Sequence, residues 1–213
     1  SFSFWQYGHD CAFIPDQDAS IDEILENLKE GIQSNTRIIA VTYVQSSTGV
    51  KLPIKEMARE IQKINASRSD VERIYFCIDA VHALGVENFS IEELGCDFLV
   101  AGTHKWLFGP RGTGIIYGKK SAWDMVDPII PPFSNAFDMW KGYIPKKKLD
   151  FHSKITPGGY HTFEYRWALK EAFEFHLEIG KERIQNRTHE LNTLLKNGLL
   201  SIPHIELHTP YSP

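Results

Sequence analysis

The chain has 213 residues, 42% of them hydrophobic, enough for one packed domain plus a piece of another. Its formal charge of −4 and pI near 6.1 exert no global pull on nucleic acid or anionic membrane. No stretch is long and apolar enough to span a bilayer, and none reads as a signal peptide.

Ser1 to Pro15 is aromatic and irregular, consistent with a strand tail and a loop. Ser20, with Glu23 three residues on, marks a helix start, and Ile21, Ile24, Leu25 and Leu28 then share one helical face. Arg37 to Val44 (RIIAVTYV) predicts a buried parallel strand. Pro53 opens a helix through Ile64 with Ile54, Met57, Ile61 and Ile64 on one stripe. Ile74 to Ile78 is the next strand, with Cys77 inside it as a small buried hydrophobe. Ile91 to Leu94 is a short helix, and Phe98 to Ala101 and Gly114 to Tyr117 are further strands. This alternation argues for a wound α/β layer. The last two strands are too close in sequence for a helical crossover, so Gly114 to Tyr117 should run antiparallel. Residues 121–161, rich in Pro, Trp, Phe and Gly, read as a long loop, with Lys146 to Lys148 a solvated basic run. Thr162 to Leu199 has a helical pattern that Gly180 should break into helices over 163–178 and 182–198. Ile205 to Leu207 begins a further strand.

Two apolar runs end in chemistry. One stops at Asp79; the other passes through Ala101-Gly-Thr-His104 to Lys105. In an open α/β sheet, ligands bind outside the carboxyl ends of the strands. A strand-end aspartate and lysine facing one crevice are what pyridoxal phosphate needs. The amine forms the internal aldimine, and the carboxylate keeps the pyridine nitrogen protonated. His82, three residues past Asp79 and one turn into the next helix, can face the same crevice or be a satisfied core histidine. Thr103 and His104 offer hydroxyl, imidazole and backbone donors to a phosphate. Gln45-Ser-Ser-Thr-Gly49 follows a strand and is either a site loop or a turn. Gly109 to Gly114 lacks Gly-Lys-Ser/Thr and precedes a strand, so it is a turn, and the absence of G-x-G-x-x-G argues against a nucleotide-binding domain. Cys11, Cys77 and Cys96 have no metal or redox spacing, and an odd count suits a reducing compartment. His204 and His208, on a strand beside Pro203, have poor geometry for zinc, so no metal site is expected.

Four segments in order carry a resemblance: Val41-Thr-Tyr-Val-Gln-Ser-Ser-Thr-Gly49, Asp79-Ala-Val-His82, Thr103-His-Lys-Trp106 and Gly109-Pro-Arg-Gly-Thr-Gly114. Together they resemble the class V aminotransferase family, a branch of the fold type I pyridoxal-phosphate enzymes, over Ser20 to Pro213. The D-x-x-H and H-K-W forms are most similar to isopenicillin-N-epimerase-like members; cysteine desulfurases more often show D-x-x-Q.

The resemblance implies a mostly parallel sheet with flanking helices. Residues 1–161 would be the C-terminal part of the cofactor-binding large domain, and residues 162–213 the connector helices and the start of a small α+β domain. It implies Lys105 and His82 as catalytic residues. Asp79, His82, Lys105, His104, Thr103, Ser46 and Thr162 would bind pyridoxal 5'-phosphate. Among these, His82 lies near the ring oxygen or face, His104 near the phosphate and Ser46 near the ring or substrate. Thr103 stands in for a Ser that the family often has at Gly102. Thr162, in the segment Gly158 to Thr162, reaches the neighbouring subunit's phosphate. The implied protein is a cytoplasmic homodimer acting on an amino acid by proton exchange at Cα, with no nucleic-acid or membrane partner. Cysteine desulfurase, C–S lyase and aminotransferase are the alternatives within the family. A desulfurase would need a nucleophilic cysteine on a loop past Pro213. Family members are longer, so the chain reads as a fragment without a glycine-rich phosphate turn, a stacking residue and most of the small domain. A catalytically incomplete folding or interaction unit is therefore a further alternative.

Overall fold

The computed structural model describes residues 15–127, 137–143, 154–155 and 162–211, and the backbone alone of residues 2–6, 9–13 and 136. The Lys146 to Lys148 run and the segment from Gly158 to His161 lie outside the described residues.

The described strands form one six-stranded sheet. In chain order they are β1 (Phe2–Gln6), β2 (His9–Phe13), β3 (Ile38–Thr42), β4 (Tyr75–Asp79), β5 (Phe98–Gly102) and β6 (Gly114–Gly118). Their spatial order is β2-β1-β3-β4-β5-β6. The centre, β3-β4-β5, is parallel, and its register aligns Thr42, Asp79 and Val100 in one row. β6 runs antiparallel to β5, with Gly114 opposite Gly102, as the short connection requires. The first residues, expected as a strand tail and loop, instead make an antiparallel hairpin whose first strand pairs with β3.

Side chains alternate across a strand, and the two faces of this sheet differ. Ile39, Val41, Phe76, Ile78, Leu99 and Ala101 are buried on one face. There they join a core with α1 (Ile21–Gly31), α2 (Ile54–Asn65) and α3 (Ile91–Leu94), through Ile24, Leu28, Met57, Ala58, Ile61 and Leu94. On the other face Ile38 is 45% exposed, Val100 42% and Ile116 54%. The central strands are therefore half-buried, not buried on both faces as RIIAVTYV suggested. The open face carries Asp79.

Local contacts fix these elements. Ser20 Oγ accepts the Glu23 backbone N–H at 3.2 Å, the N-cap bond expected for α1. Asn65 closes α2 onto β4 by bonding both the carbonyl and the N–H of Ile74, at 2.9 and 2.8 Å. Buried Asp97 accepts from Phe76 N at 2.9 Å and from the Arg73 guanidinium at 3.1 Å, which ties the start of β5 to β4. An acidic residue beside Cys96 gave no sequence cue to that role.

The loop expected over 121–161 contains short helices, α4 (Lys120–Trp123) and α5 (Ala136–Trp140). The C-terminal segment is α6 (Phe163–Trp167), α7 (Leu169–Ile179) and α8 (Lys181–Leu200). Gly180, at φ +95°, makes the expected break. The first predicted helix is itself divided at Ala168. α8 docks on residues 87–89: Lys181 Nζ donates to Phe89 O, Gln185 Oε1 accepts from Asn88 N, and His189 Nε2 meets Glu87 at 2.8 Å. Residues 205–207 form no strand, correcting that expectation, and His204 and His208 lie outside any strand. A strand needs a neighbour to complete its ladder, and none of the described strands pairs there. Among the described residues no helix is long and apolar enough to cross a membrane.

Candidate active site

The site is built where β4 and β5 end. Past Asp79 the chain does not enter a helix, as expected for His82, but makes consecutive turns over 81–86. Ala83 N and Leu84 N both bond Ala80 O, at 3.0 and 2.8 Å, and Val86 N and Glu87 N both bond Ala83 O. Gly85 sits in this run at φ +92°, where a helix cannot continue. A Cβ on Gly85 would lie 2.7 Å from the Trp106 carbonyl carbon and 2.8 Å from Leu107 N. Glycine thus lets the turn after β4 press directly on the turn after β5.

That second turn carries Thr103, His104, Lys105 and Trp106. Thr103 is fully buried; its hydroxyl pairs with Thr113 Oγ1, its N–H with Thr113 O, and its carbonyl with Gly109 N at 2.8 Å. Thr103 is a clasp closing the 103–113 turn, turned inward and away from the open face. His104, Lys105 and Trp106 are exposed. Buried His176 on α7 anchors the turn, its Nε2 meeting Trp106 O at 2.8 Å.

The two turns meet through side chains. Lys105 Nζ lies 2.9 Å from His82 Nε2, and Trp106 Nε1–H donates to His82 Nδ1 at 3.2 Å. His82 is held below the ordinary imidazole range by burial first and by the Lys105 charge second, with Asp79 opposing them. Asp79 Oδ1 accepts the Val81 N–H at 3.0 Å. The aspartate therefore caps its turn while standing half-buried on the open face.

Asp79, His104 and Lys105 line one broad depression, floored by Val100, Gly102, Gly114 and Ile116. Ser46 and His82 line a second cavity of about 320 Å³, with Gln45, Trp106, Glu87 and His189. The Lys105–His82 contact joins the two. Thr162 shares neither; it is exposed beside Arg111, Thr113 and Tyr165 in a separate hollow. A more apolar cavity between Leu84, Phe89, Leu107 and Leu177 is lined by neither Lys105 nor Asp79, so its apolar lining does not locate the chemistry. Sequence reasoning missed Gln45, which is buried with Nε2 lacking a partner among the described residues, and gave Trp106 no role beyond its place in a motif.

The donor set suits pyridoxal 5'-phosphate: a primary amine for the aldehyde, a carboxylate for a cationic ring nitrogen, and an exposed imidazole for the phosphate. No cluster of three metal-ligating side chains occurs among the described residues.

Comparison with known proteins identifies the family. The family described as Aminotransferase class-V matches residues 6–212. The probable cysteine desulfurase of Halalkalibacterium halodurans is 26% identical over 194 residues, covering 89% of this chain and 43% of that protein. The isopenicillin N epimerase of Streptomyces clavuligerus is 26% identical over 207 residues, covering 94% of this chain and 49% of that protein. The apo cysteine desulfurase structure from Thermococcus onnurineus shares the fold, with a TM-score of 0.67 at 19% identity, over 87% of this chain and 43% of that one. The chain thus spans less than half the length of these proteins. Pyridoxal 5'-phosphate is the cofactor that this family implies. On four motifs in order and a family match along nearly its whole length, the chain belongs to the class V aminotransferase family.

Proposed function

We propose that the chain is the lysine-bearing part of a pyridoxal-phosphate-dependent enzyme that transforms an amino acid at Cα, with Lys105 as the covalent anchor of the cofactor. The observation that carries this is Lys105 Nζ, 2.9 Å from His82 Nε2 and sharing one depression with Asp79 and His104. The cofactor, when bound, supplies an electron-withdrawing ring that acidifies the substrate Cα–H. The remaining roles belong to the chain. Asp79 holds positive charge on a ring nitrogen. His104 donates to a phosphate oxygen. Lys105 takes and returns the substrate proton, with His82 orienting its amine. Ser46 reaches the ring or substrate from the second cavity. Thr103 supports the turn from within. Thr162, in its separate hollow, fits a role in a neighbouring subunit's site within a homodimer. In this reading residues 1–161 belong to a large domain and residues 162–213 lead into a smaller one.

Proton exchange at Cα, as in an epimerase, is the reaction that Asp79-x-x-His82 and His104-Lys-Trp106 favour. Desulfuration fits the likenesses at least as well, since the desulfurase and the epimerase are each 26% identical to the chain. Cys77 and Cys96 are poor sulfur acceptors, because burial pushes their thiols up to about 12 and about 11. A desulfurase would therefore draw its acceptor cysteine from elsewhere.

Borohydride reduction of the full-length protein with cofactor, followed by peptide mass mapping, should place a pyridoxyl group on Lys105. A group on another lysine, or none with cofactor bound, refutes the assignment. Deuterium wash-in at Cα of trial amino acids, set against sulfide release from cysteine, separates the two reactions.

A further inference from the structure

We propose that Trp106 is a positioning residue: its indole N–H fixes His82 as the Nε2–H tautomer, so that the imidazole presents a proton donor to the Lys105 amine. The inference rests on the reading of Lys105 as the reactive amine.

The argument is a count of donors and acceptors. An indole nitrogen donates and never accepts. With Trp106 Nε1 donating to His82 Nδ1 at 3.2 Å, Nδ1 must carry a lone pair. A neutral imidazole has one N–H, which is then on Nε2. The atom facing Nε2 is Lys105 Nζ, at 2.9 Å. An ammonium has only donors and would set hydrogen against hydrogen; an uncharged amine accepts through its lone pair. The chain Trp106 to His82 to Lys105 is therefore satisfied in one state, with every proton directed toward the amine nitrogen. An imidazolium would also place a proton on Nδ1 against the indole N–H. This adds to the burial that is the first cause holding His82 below the ordinary imidazole range.

The scaffold holds the indole in place for this role. Lys105 and Trp106 are adjacent on one turn, yet their side chains reach the two nitrogens of one ring. His176 grips the Trp106 carbonyl from α7 at 2.8 Å. Gly85 permits backbone contact between the His82 turn and the Trp106 turn. The two rings are tilted by 60° with centroids 6.3 Å apart, so their link is the edge hydrogen bond and not stacking. Without the indole proton, the ring is free to become the Nδ1–H tautomer and accept from a lysine ammonium at Nε2.

The test reads His82 directly, by ring nitrogen resonances of the full-length, cofactor-free protein labelled with ¹⁵N-histidine, with His82→Gln used to assign the signal. The wild type should show His82 as Nε2–H with Nδ1 unprotonated. Trp106→Phe should lower the ratio of Nε2–H to Nδ1–H on the order of tenfold, the factor that one ordinary hydrogen bond is worth. Single-site replacement of Trp106 by 3-benzothienylalanine, which keeps the indole shape and lacks the N–H, should do the same and covers the case of a Trp106→Phe variant that folds poorly. The signal of His176 should stay put in both. An Nδ1–H ring in the wild type, or a ratio that the benzothienyl replacement leaves unchanged, overturns the proposal. The readout needs no cofactor. Failure to label Lys105 with borohydride would refute the proposed function and leave the tautomer result standing.

Discussion

Gly85 is the position where one methyl group tests how the two turns are joined. Gly85→Ala places a Cβ 2.7 Å from the Trp106 carbonyl carbon and 2.8 Å from both Trp106 O and Leu107 N, against backbone that cannot rotate aside. Two costs add. Holding an L-residue in the left-handed region, here φ +92°, costs about 1–2 kcal/mol. Forcing a methyl into closed packing costs about 1–3 kcal/mol more. Gly112 supplies the control: it has φ +81° with nothing within 4 Å of a built Cβ, so Gly112→Ala carries the backbone cost alone. Urea unfolding of the full-length protein should therefore show Gly85→Ala destabilised by about 2–5 kcal/mol and Gly112→Ala by about 1–2 kcal/mol. Where Gly85→Ala still folds, its relief must come from parting the turns, which would break the Lys105–His82 contact and slow cofactor attachment. Equal losses for the two variants would show that the turns are not in contact at Gly85, and the steric argument would fail.

The remaining expectations concern charge. Asp79→Asn should lower turnover of the full-length enzyme by roughly a hundredfold or more while cofactor binding changes little, since a preorganised charge is worth several kcal/mol in a transition state; near-normal turnover would make Asp79 structural only. His82 bears on stability. Its folded-state pKa lies below the unfolded value, so the unfolded chain binds more protons as pH falls below the ordinary imidazole value of 6.5. The contribution of neutral His82 is thus present above that pH and is lost as pH falls through the lower folded value. Melting temperatures between pH 7 and pH 5 should fall more steeply for wild type than for His82→Gln, and parallel curves would contradict the shift.

Much of this arrangement is legible in the sequence because it is local. Ser20 with Glu23, the strands ending at Asp79 and near Lys105, and the antiparallel return to β6 follow from spacing and periodicity alone. What is not legible depends on partners far along the chain. The open second face of the sheet is invisible in RIIAVTYV, because a run of apolar residues cannot say whether one or two layers cover it. The turn replacing the expected helix at His82 follows from Gly85, whose need for φ +92° comes from Trp106, 21 positions away. Thr103 shows the same limit: nothing beside it in the chain announces that its hydroxyl pairs with Thr113, ten positions on. Trp106 stands in a recognisable motif, but the role proposed for it depends on where His82 lands.

Asp79 shows why the structural and chemical readings of a strand-end residue need not compete. As a cap, it accepts the Val81 N–H through Oδ1, which stops the carboxylate from rotating and sets the turn that carries His82. As a charge, it lies on the open face in register with Thr42 and Val100, beside the depression that holds Lys105. A carboxylate has about four lone-pair positions, so one bond to the turn leaves acceptor capacity for a ligand. Asparagine retains a side-chain oxygen for Val81 and loses only the charge, whereas alanine loses both. Asp79→Asn should therefore keep the His82 ring resonances of the wild type, and Asp79→Ala should shift them. If the two variants shift them equally, the cap is not what sets the turn, and the aspartate acts on His82 through charge alone.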